Sequence, residues 1–598
     1  MAMARPPGAG GSGRGFAALL AQTQELVNKG KTAEAIARVR AALARDARSA
    51  DTAAYLSTLL VRAGELVQAQ HYAKQALTLD PGNQGARLAL AMTLLAMGKA
   101  PEAVDLLRAL TRDAPDVAAP AEKLAEALDQ MGQFDEAIDV CEGALTRGLI
   151  SSPLQLQLAG LLHRQGEHDR ARAMLRQLQA QEPTNVDAAI QLAALSNYDA
   201  GTTAQQSAAA HARAGMLLAD HVGCGPAGIF GVGAPGRARP KHAAILSPDL
   251  ARHSVAYFAL PLARAIKAAG WRLTLYSSGL REDEVTGAFR ALADGFVHVA
   301  GHSSFELATR IHDDAVTVLF ELSGYTKGHR QRALALRPAP VQVTAIGYPA
   351  TTGNRAIDWR IVDARTDPPG SEVLCTERLA RLDPVFLCYD PPGDAPPART
   401  PIGSDEPLTL GSFNAFQKLS ARTLALWARV MQRLPAARLL LKGTMLAGQR
   451  ASDRLQAAMR DAGLPMERVE LLPCTAGLRE HLLDYHRVHI ALDTFPYNGT
   501  TTTCEALLMG VPVVTMCGHA HVSRVGHSLL YAAGLGDLSA QDEDAFVACL
   551  ERLATDRGRL HALQSGLRER LLNSALLNQQ AHGQQVAQFL KQALSPSH

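Results

Sequence analysis

The chain has almost no excess of charge: over 598 residues, 60 Lys and Arg against 57 Asp and Glu leave a net charge of +3. That is too small to argue for nucleic acid or an anionic membrane as a partner. No run approaches 18 uninterrupted apolar residues, so no membrane-spanning helix is expected. The eight cysteines form no CxxC pair, which argues against structural zinc and a disulfide framework and fits a reducing cytosol. There is no GxxxxGK(S/T) and no GxGxxG, which disfavours a P-loop ATPase and a dinucleotide enzyme. Residues 1–15 are rich in Gly, Pro and Arg without an apolar h-region, and read as a disordered tail rather than a signal peptide. A composition of 47% apolar and 20% charged residues then implies a soluble, cytoplasmic protein of two or three domains.

What is present begins with a period. Gly30, Gly64, Gly98, Gly132 and Gly166 stand 34 residues apart, and Ala35, Ala69, Ala103, Ala137 and Ala171 each follow five positions later. This is the spacing of tetratricopeptide repeats, with two helices per unit, a small residue where they cross and glycine in the turn. Pro81, Pro115 and Pro183 recur where the second helix must stop; Ala47 and Leu149 occupy the same place in the two units without proline. Repeats and capping helices are expected over 16–220, offering a groove for polypeptide.

After a Gly/Pro-rich linker at 221–240, short β-rich runs alternate with amphipathic helices. Strands at 243–249, 272–278, 315–322, 341–346 and 358–363, with a helix at 254–267, make a first lobe over 241–390. Strands at 408–413, 437–442, 468–473, 488–493 and 511–516 make a second over 408–598, beyond an inter-lobe segment at 391–407. Residues 541–595 read as helices bracing that second lobe. The expected fold is α/β, two Rossmann-like lobes with doubly wound parallel sheets and ligand between them, preceded by an all-α solenoid.

Residues 493–510, DTFPYNGTTTTCEALLMG, join a strand end to a helix through a Gly-containing loop and four threonines. Free N–H groups around Thr501 and Thr502 suit a diphosphate, and Glu505 one turn on suits ribose hydroxyls. Thr502-x-x-Glu505 is equally a capping box needing no ligand. Lys418 follows the first strand of the second lobe, where it is either a phosphate partner or a solvated loop lysine. His253, ahead of a helix that Ser254 would cap, could take a proton from a hydroxyl or orient it. His519-x-His521 has metal-ligand spacing but no third ligand nearby. Gly324, Gly347 and Gly353 permit tight turns, and Tyr325 and Thr326 follow a strand end facing the cleft, where Gly324, Tyr325 and Thr326 would touch substrate.

HSVAYF, ELSGYTKGHR, LRPAPVQVTAIGYPATTG, GSFNAFQKLS, ALDTFPYNGTTTTCEALLMGVPVVTM and SRVGHSLL, in this order behind the repeats, resemble the O-GlcNAc transferase and SPINDLY family of protein O-glycosyltransferases. The resemblance implies a GT-B fold and inverting transfer of one sugar from a nucleotide-diphosphate sugar to Ser or Thr, with no metal or other cofactor. It also implies repeats that select protein substrates, and the repeats could join two copies as a homodimer. Lys418 matches the lysine on the leaving diphosphate, Thr501 and Thr502 the pair at the phosphate-binding helix, and Glu505 the acid on the ribose. His481 matches a nucleotide-binding histidine and His253 an active-site histidine. Thr500 stands where animal O-GlcNAc transferases have histidine, Ser254 where they have proline, and Leu478 where they have a lysine near the uridine. In these respects the chain is similar to the plant SPINDLY branch, which uses GDP-fucose; UDP-GlcNAc and GDP-fucose both stay open as donors. Two other readings also stay open. One is a repeat scaffold carrying an inactive glycosyltransferase module, and the other an enzyme acting on a non-protein acceptor.

Overall fold

The computed structural model describes residues 12–28, 30–225, 227–230, 240–403, 406–443, 448–475 and 477–595. Residues 1–11 of the expected tail, 226 and 231–239 of the expected linker and 404–405 of the inter-lobe segment lie outside them. The chain forms two compact units: 1–162, 173–181 and 299–310 make the first, and 163–172, 182–298 and 311–598 the second.

The first unit is built of consecutive helices, from Ser12–Asn28 through Phe134–Thr146 and into Ser152–Arg164. Gly30, Gly64, Gly98 and Gly132 all lie in the left-handed region, at φ of 72°, 75°, 74° and 72°. A side chain there would strain the turn, so glycine is demanded by backbone geometry rather than by space. Ala35, Ala69, Ala103 and Ala137 are each 0% exposed. A methyl is all that each helix crossing admits. The same pair recurs in the second unit as Gly166, at φ 77°, and the fully buried Ala171. Helices Leu66–Leu79, Ala100–Asp113 and His168–Gln181 stop two residues before their prolines, as the spacing predicts. Thr32–Arg45 and Phe134–Thr146 stop in nearly the same register without one, the latter followed by Gly148 at φ 85°.

The second unit holds two parallel sheets. The first runs β3-β2-β1-β4-β5-β6-β7, with β1 His242–Ser247, β2 Arg272–Ser277, β3 Gly295–His298, β4 Val318–Glu321, β5 Val341–Thr344, β6 Trp359–Val362 and β7 Arg378–Arg381. The second runs β10-β9-β8-β11-β12-β13, with β8 Thr409–Ser412, β9 Arg438–Lys442, β10 Val469–Leu472, β11 Ile490–Leu492, β12 Val513–Met516 and β13 Ser539–Ala540. Both orders reverse between a first and a fourth strand, at β1/β4 and at β8/β11. Ligands of doubly wound sheets bind at the carboxyl ends beside such a reversal. The expected strands are all present; β3, β7 and β13 were not anticipated, being short edge strands, with β7 reading Arg-Leu-Ala-Arg.

Two helices, Val186–Ser196 and Ala204–Val222, share an apolar core with Tyr325, Ala335 and Tyr348 of the first lobe. Of residues 541–595, expected to finish or brace the second lobe, the last helix also reaches the first lobe. Helix Gln579–Leu594 packs on the first sheet, with the Phe589 ring edge-on to Phe320 and Trp359 at centroid distances of 6.2 and 5.9 Å. The lobes are also tied by Ser528 donating to Asp363 at 2.5 Å, and by Arg524 Nε donating to the Arg365 carbonyl at 2.7 Å.

Candidate active site

At the carboxyl end of β11, Asp493 organises the loop that leads into helix Thr501–Leu508. Its Oδ1 accepts from the Thr494 and Gly499 amides at 2.8 and 2.6 Å, and its Oδ2 from the Thr515 hydroxyl at 2.6 Å. The carboxyl is fully enclosed, and burial raises its pKa while these donors and Lys418 oppose the rise. Thr500 precedes the helix with no side-chain cap bond. Thr502 does not cap it either: it lies inside the first turn, and its hydroxyl donates to Asn414 Oδ1 at 3.0 Å. The capping-box alternative is therefore not formed, and Glu505 turns elsewhere. Among the described residues, the N–H groups of Thr501, Thr502 and Thr503 meet no acceptor. Thr500 and Thr502 are half-buried while Thr501 and Thr503 are buried, so this positive helix end is partly covered by protein.

Lys418 reaches this place from the carboxyl end of β8. It ends the short turn Phe416–Lys418, after which Ser420 caps helix Ala421–Arg433 by accepting from the Thr423 amide at 3.1 Å. Ser420 and Thr423 each donate to the Phe495 carbonyl at 2.6 Å, lacing the β8 loop to the β11 loop. The half-buried Lys418 points inward: Nζ donates to the Asn498 carbonyl at 3.0 Å and lies 4.3 Å from the centre of the Tyr497 ring. Burial lowers its pKa to about 8, with Asp493 opposing that fall. A small recess alongside is lined by Ser412, Phe413, Asn414, Tyr485, Asp493 and Thr502.

Glu505 is buried and meets His481 Nε2 at 3.2 Å. On the other ring face of the network, His481 Nδ1 lies 3.0 Å from Lys442 Nζ, which also donates to Asp484 at 2.6 Å and to Thr475 at 2.8 Å. An ammonium only donates, so Nδ1 is the acceptor and Nε2 carries the hydrogen that goes to Glu505. The histidine and the acid matched to the nucleotide thus form one unit, fixed from behind by a lysine of 1% exposure. Sequence reasoning missed Lys442, Asn414 and Tyr497. The available signal was position: Lys442 closes the apolar run of β9 and Asn414 follows β8, both at carboxyl strand ends.

In the first lobe His253 follows β1 and is half-exposed. Ser254 does not cap the next helix, which starts at Ala256. Instead His253 Nδ1 accepts from the Val255 amide at 3.3 Å and stands 3.5 Å from Asp249. Gly324, Tyr325 and Thr326, expected to touch substrate, follow β4. Tyr325 is buried, stacked 6.0 Å from His211, with its hydroxyl donating to the Thr352 carbonyl. Thr326 donates back to the Ser323 carbonyl at 2.8 Å. At Gly324 an added Cβ would stand 2.3 Å from Tyr348. Gly324 and Tyr325 are thus packed into the wall of the first lobe, while Thr326 is half-buried. His521 is committed too, Nδ1 lying 2.5 Å from Asp367.

A model described as glycosyl transferase family 41 matches residues 249–392 and 403–586, and a tetratricopeptide repeat model matches 60–128 and 130–196. A curated protein of Arabidopsis thaliana, "Probable UDP-N-acetylglucosamine--peptide N-acetylglucosaminyltransferase SPINDLY", is 39% identical over 345 residues, 57% of this chain and 38% of its own length. Its namesake from Solanum lycopersicum is 40% identical over 344 residues, 56% and 37% of the two chains. The match thus spans little more than a third of either relative. Among solved structures, a Thermobaculum terrenum O-GlcNAc transferase mutant superposes with a TM-score of 0.79 at 29% identity, covering 85% of this chain and 97% of that one.

Proposed function

The chain belongs to glycosyl transferase family 41, and from that premise we propose that it is a protein O-glycosyltransferase. It moves a single sugar, GlcNAc or fucose, from a nucleotide-diphosphate donor to Ser or Thr hydroxyls of polypeptides presented by the repeats. One observation carries the reading: three helix-start amides without acceptors open beside an inward-pointing lysine at the β8/β11 reversal. Such donors stabilise charge that develops on a leaving diphosphate.

The acceptor hydroxyl attacks the anomeric carbon as the carbon–oxygen bond to the diphosphate breaks on the opposite face, inverting the centre. The hydroxyl proton leaves to a base, and the electron pair leaves with the diphosphate. Lys418 and the Thr501–Thr503 amides take up that charge, and Glu505, oriented by His481, holds the ribose hydroxyls. No step needs a metal or other cofactor. His253 is the residue placed to orient the acceptor hydroxyl or take its proton: Nδ1 is engaged by the Val255 amide and Asp249, and Nε2 is left for the hydroxyl. A reducing, cytoplasmic setting fits eight unpaired cysteines, and no helix among the described residues is long and apolar enough to cross a membrane.

The test is turnover with radiolabelled UDP-GlcNAc and GDP-fucose, scoring donor cleavage and label in protein separately. Label in protein from one donor supports the proposal and identifies the sugar. Cleavage with label only in small molecules or glycans overturns the protein acceptor. No turnover with either donor favours an inactive module on a repeat scaffold.

A further inference from the structure

Lys418 is held by more than its own loop. The carbonyl of the preceding residue, Gln417, is met by His168 Nε2 at 2.8 Å, and the Gln417 side-chain amide donates to the Tyr198 hydroxyl at 3.3 Å. The Tyr198 ring in turn lies 4.8 Å, centre to centre, from the Tyr497 ring on which the Lys418 ammonium rests. One residue comes from helix His168–Gln181 and the other follows helix Val186–Ser196, far in sequence from both strands of the site.

We propose that His168 and Tyr198 are positioning residues for Lys418: His168 fixes the backbone that carries the lysine, and Tyr198 fixes the aromatic ring beneath its ammonium. The proposal rests on the assignment of Lys418 to the leaving diphosphate, but its geometry stands apart from which sugar is moved. The His168 anchor is an N–H donor, because a carbonyl only accepts. Its Nδ1, 3.1 Å from His163 Nδ1, is then the acceptor in that pair. Burial lowers the pKa of both imidazoles, His163 to about 3, which favours the uncharged form of each ring. The groups facing the lysine are the Tyr497 ring, the Asn498 carbonyl and the Asp493 carboxylate, with Tyr198 and His168 behind them. Opening the Tyr198 side admits water to an ammonium whose acidity comes from burial. A shift of the backbone at Gln417 moves the same ammonium out of its seat.

The experiment uses the full chain and reads Lys418 in two ways. Its reactivity towards an acylating reagent across pH, followed on the Lys418 peptide by mass spectrometry, gives its protonation midpoint without reference to turnover. Steady-state donor turnover gives kcat and KM. In His168→Ala and Tyr198→Ala the midpoint is expected to rise towards the ordinary lysine range, and kcat to fall roughly tenfold with donor KM little changed. His168→Gln, which returns an N–H at the same reach, is expected to restore both. Tyr198→Phe keeps the ring but loses the hydroxyl's bonds to Gln417 and Tyr497, and carries the test if an alanine variant does not fold. An unmoved midpoint in folded variants, or a loss that the glutamine fails to restore, overturns the proposal. A midpoint that moves in a protein inactive towards both donors leaves the positioning role standing and removes the transferase reading instead.

Discussion

Lys418 is where the account is most exposed. Position alone favoured a solvated loop lysine over a phosphate partner; what supports the second reading is that its ammonium turns inward to the Asn498 carbonyl and the Tyr497 ring. Lys418→Ala should lower kcat by about two orders of magnitude with little change in donor affinity, because its charge matters most when the diphosphate departs. An unchanged rate takes the lysine out of the mechanism. Burial lowers its pKa, so the ammonium loses its proton at about 8. The charged form is the useful one, and kcat/KM should therefore fall as pH rises through about 8. In Lys418→Arg any residual activity should keep no such limb, since a guanidinium stays charged. Persistence of full kcat/KM well above that pH contradicts the assignment.

The helix Thr501–Leu508 and the loop before it show what a sequence reveals of an element and what it withholds. The threonine run marked the helix start, but the same letters spelled a capping box, and only the Thr502 bond to Asn414 separates the two readings. That bond joins residues 88 positions apart, so no local pattern could disclose it. The packing of Tyr325 was equally hidden: a strand end faces a cleft, but the Tyr325 ring stacks on His211, more than a hundred residues away. The repeats were legible almost to the residue because glycine and alanine are demanded there by φ and by contact, both local consequences of a 34-residue period. Gly499 makes a testable point on this scale. A Cβ there would stand 2.4 Å from the Thr502 hydroxyl and 2.9 Å from Asn414 Oδ1. Gly499→Ala should break that bond and weaken nucleotide-diphosphate binding roughly tenfold in calorimetry, about 1.4 kcal/mol, with a small change in Tm. Unaltered affinity would mean that the helix start is not the anion site.

On the scale of the whole molecule, two sheets with the same order place their candidate residues at the same topological point, His253 after β1 and Lys418 and Thr500–Thr502 after β8 and β11. Alternating strands and helices announced two such lobes. The ties between them were not announced, since they are single side-chain contacts across more than a hundred residues. Asp367 is the clearest of these, buried between His521 of the other lobe at 2.5 Å and Arg360 at 3.5 Å. Asp367→Ala leaves Arg360 buried beside no carboxylate that touches it, and should cost roughly 3 kcal/mol in urea unfolding. A cost below about 1 kcal/mol would reduce this tie to a minor contact. The central claim is that the helix start and Lys418 together hold a diphosphate. A crystal structure of the chain with UDP or GDP tests it most directly: the account expects phosphate oxygens within hydrogen-bond distance of Lys418 Nζ and of the Thr501–Thr503 amides. A nucleotide bound with its diphosphate elsewhere, and those amides still without an acceptor, would contradict it.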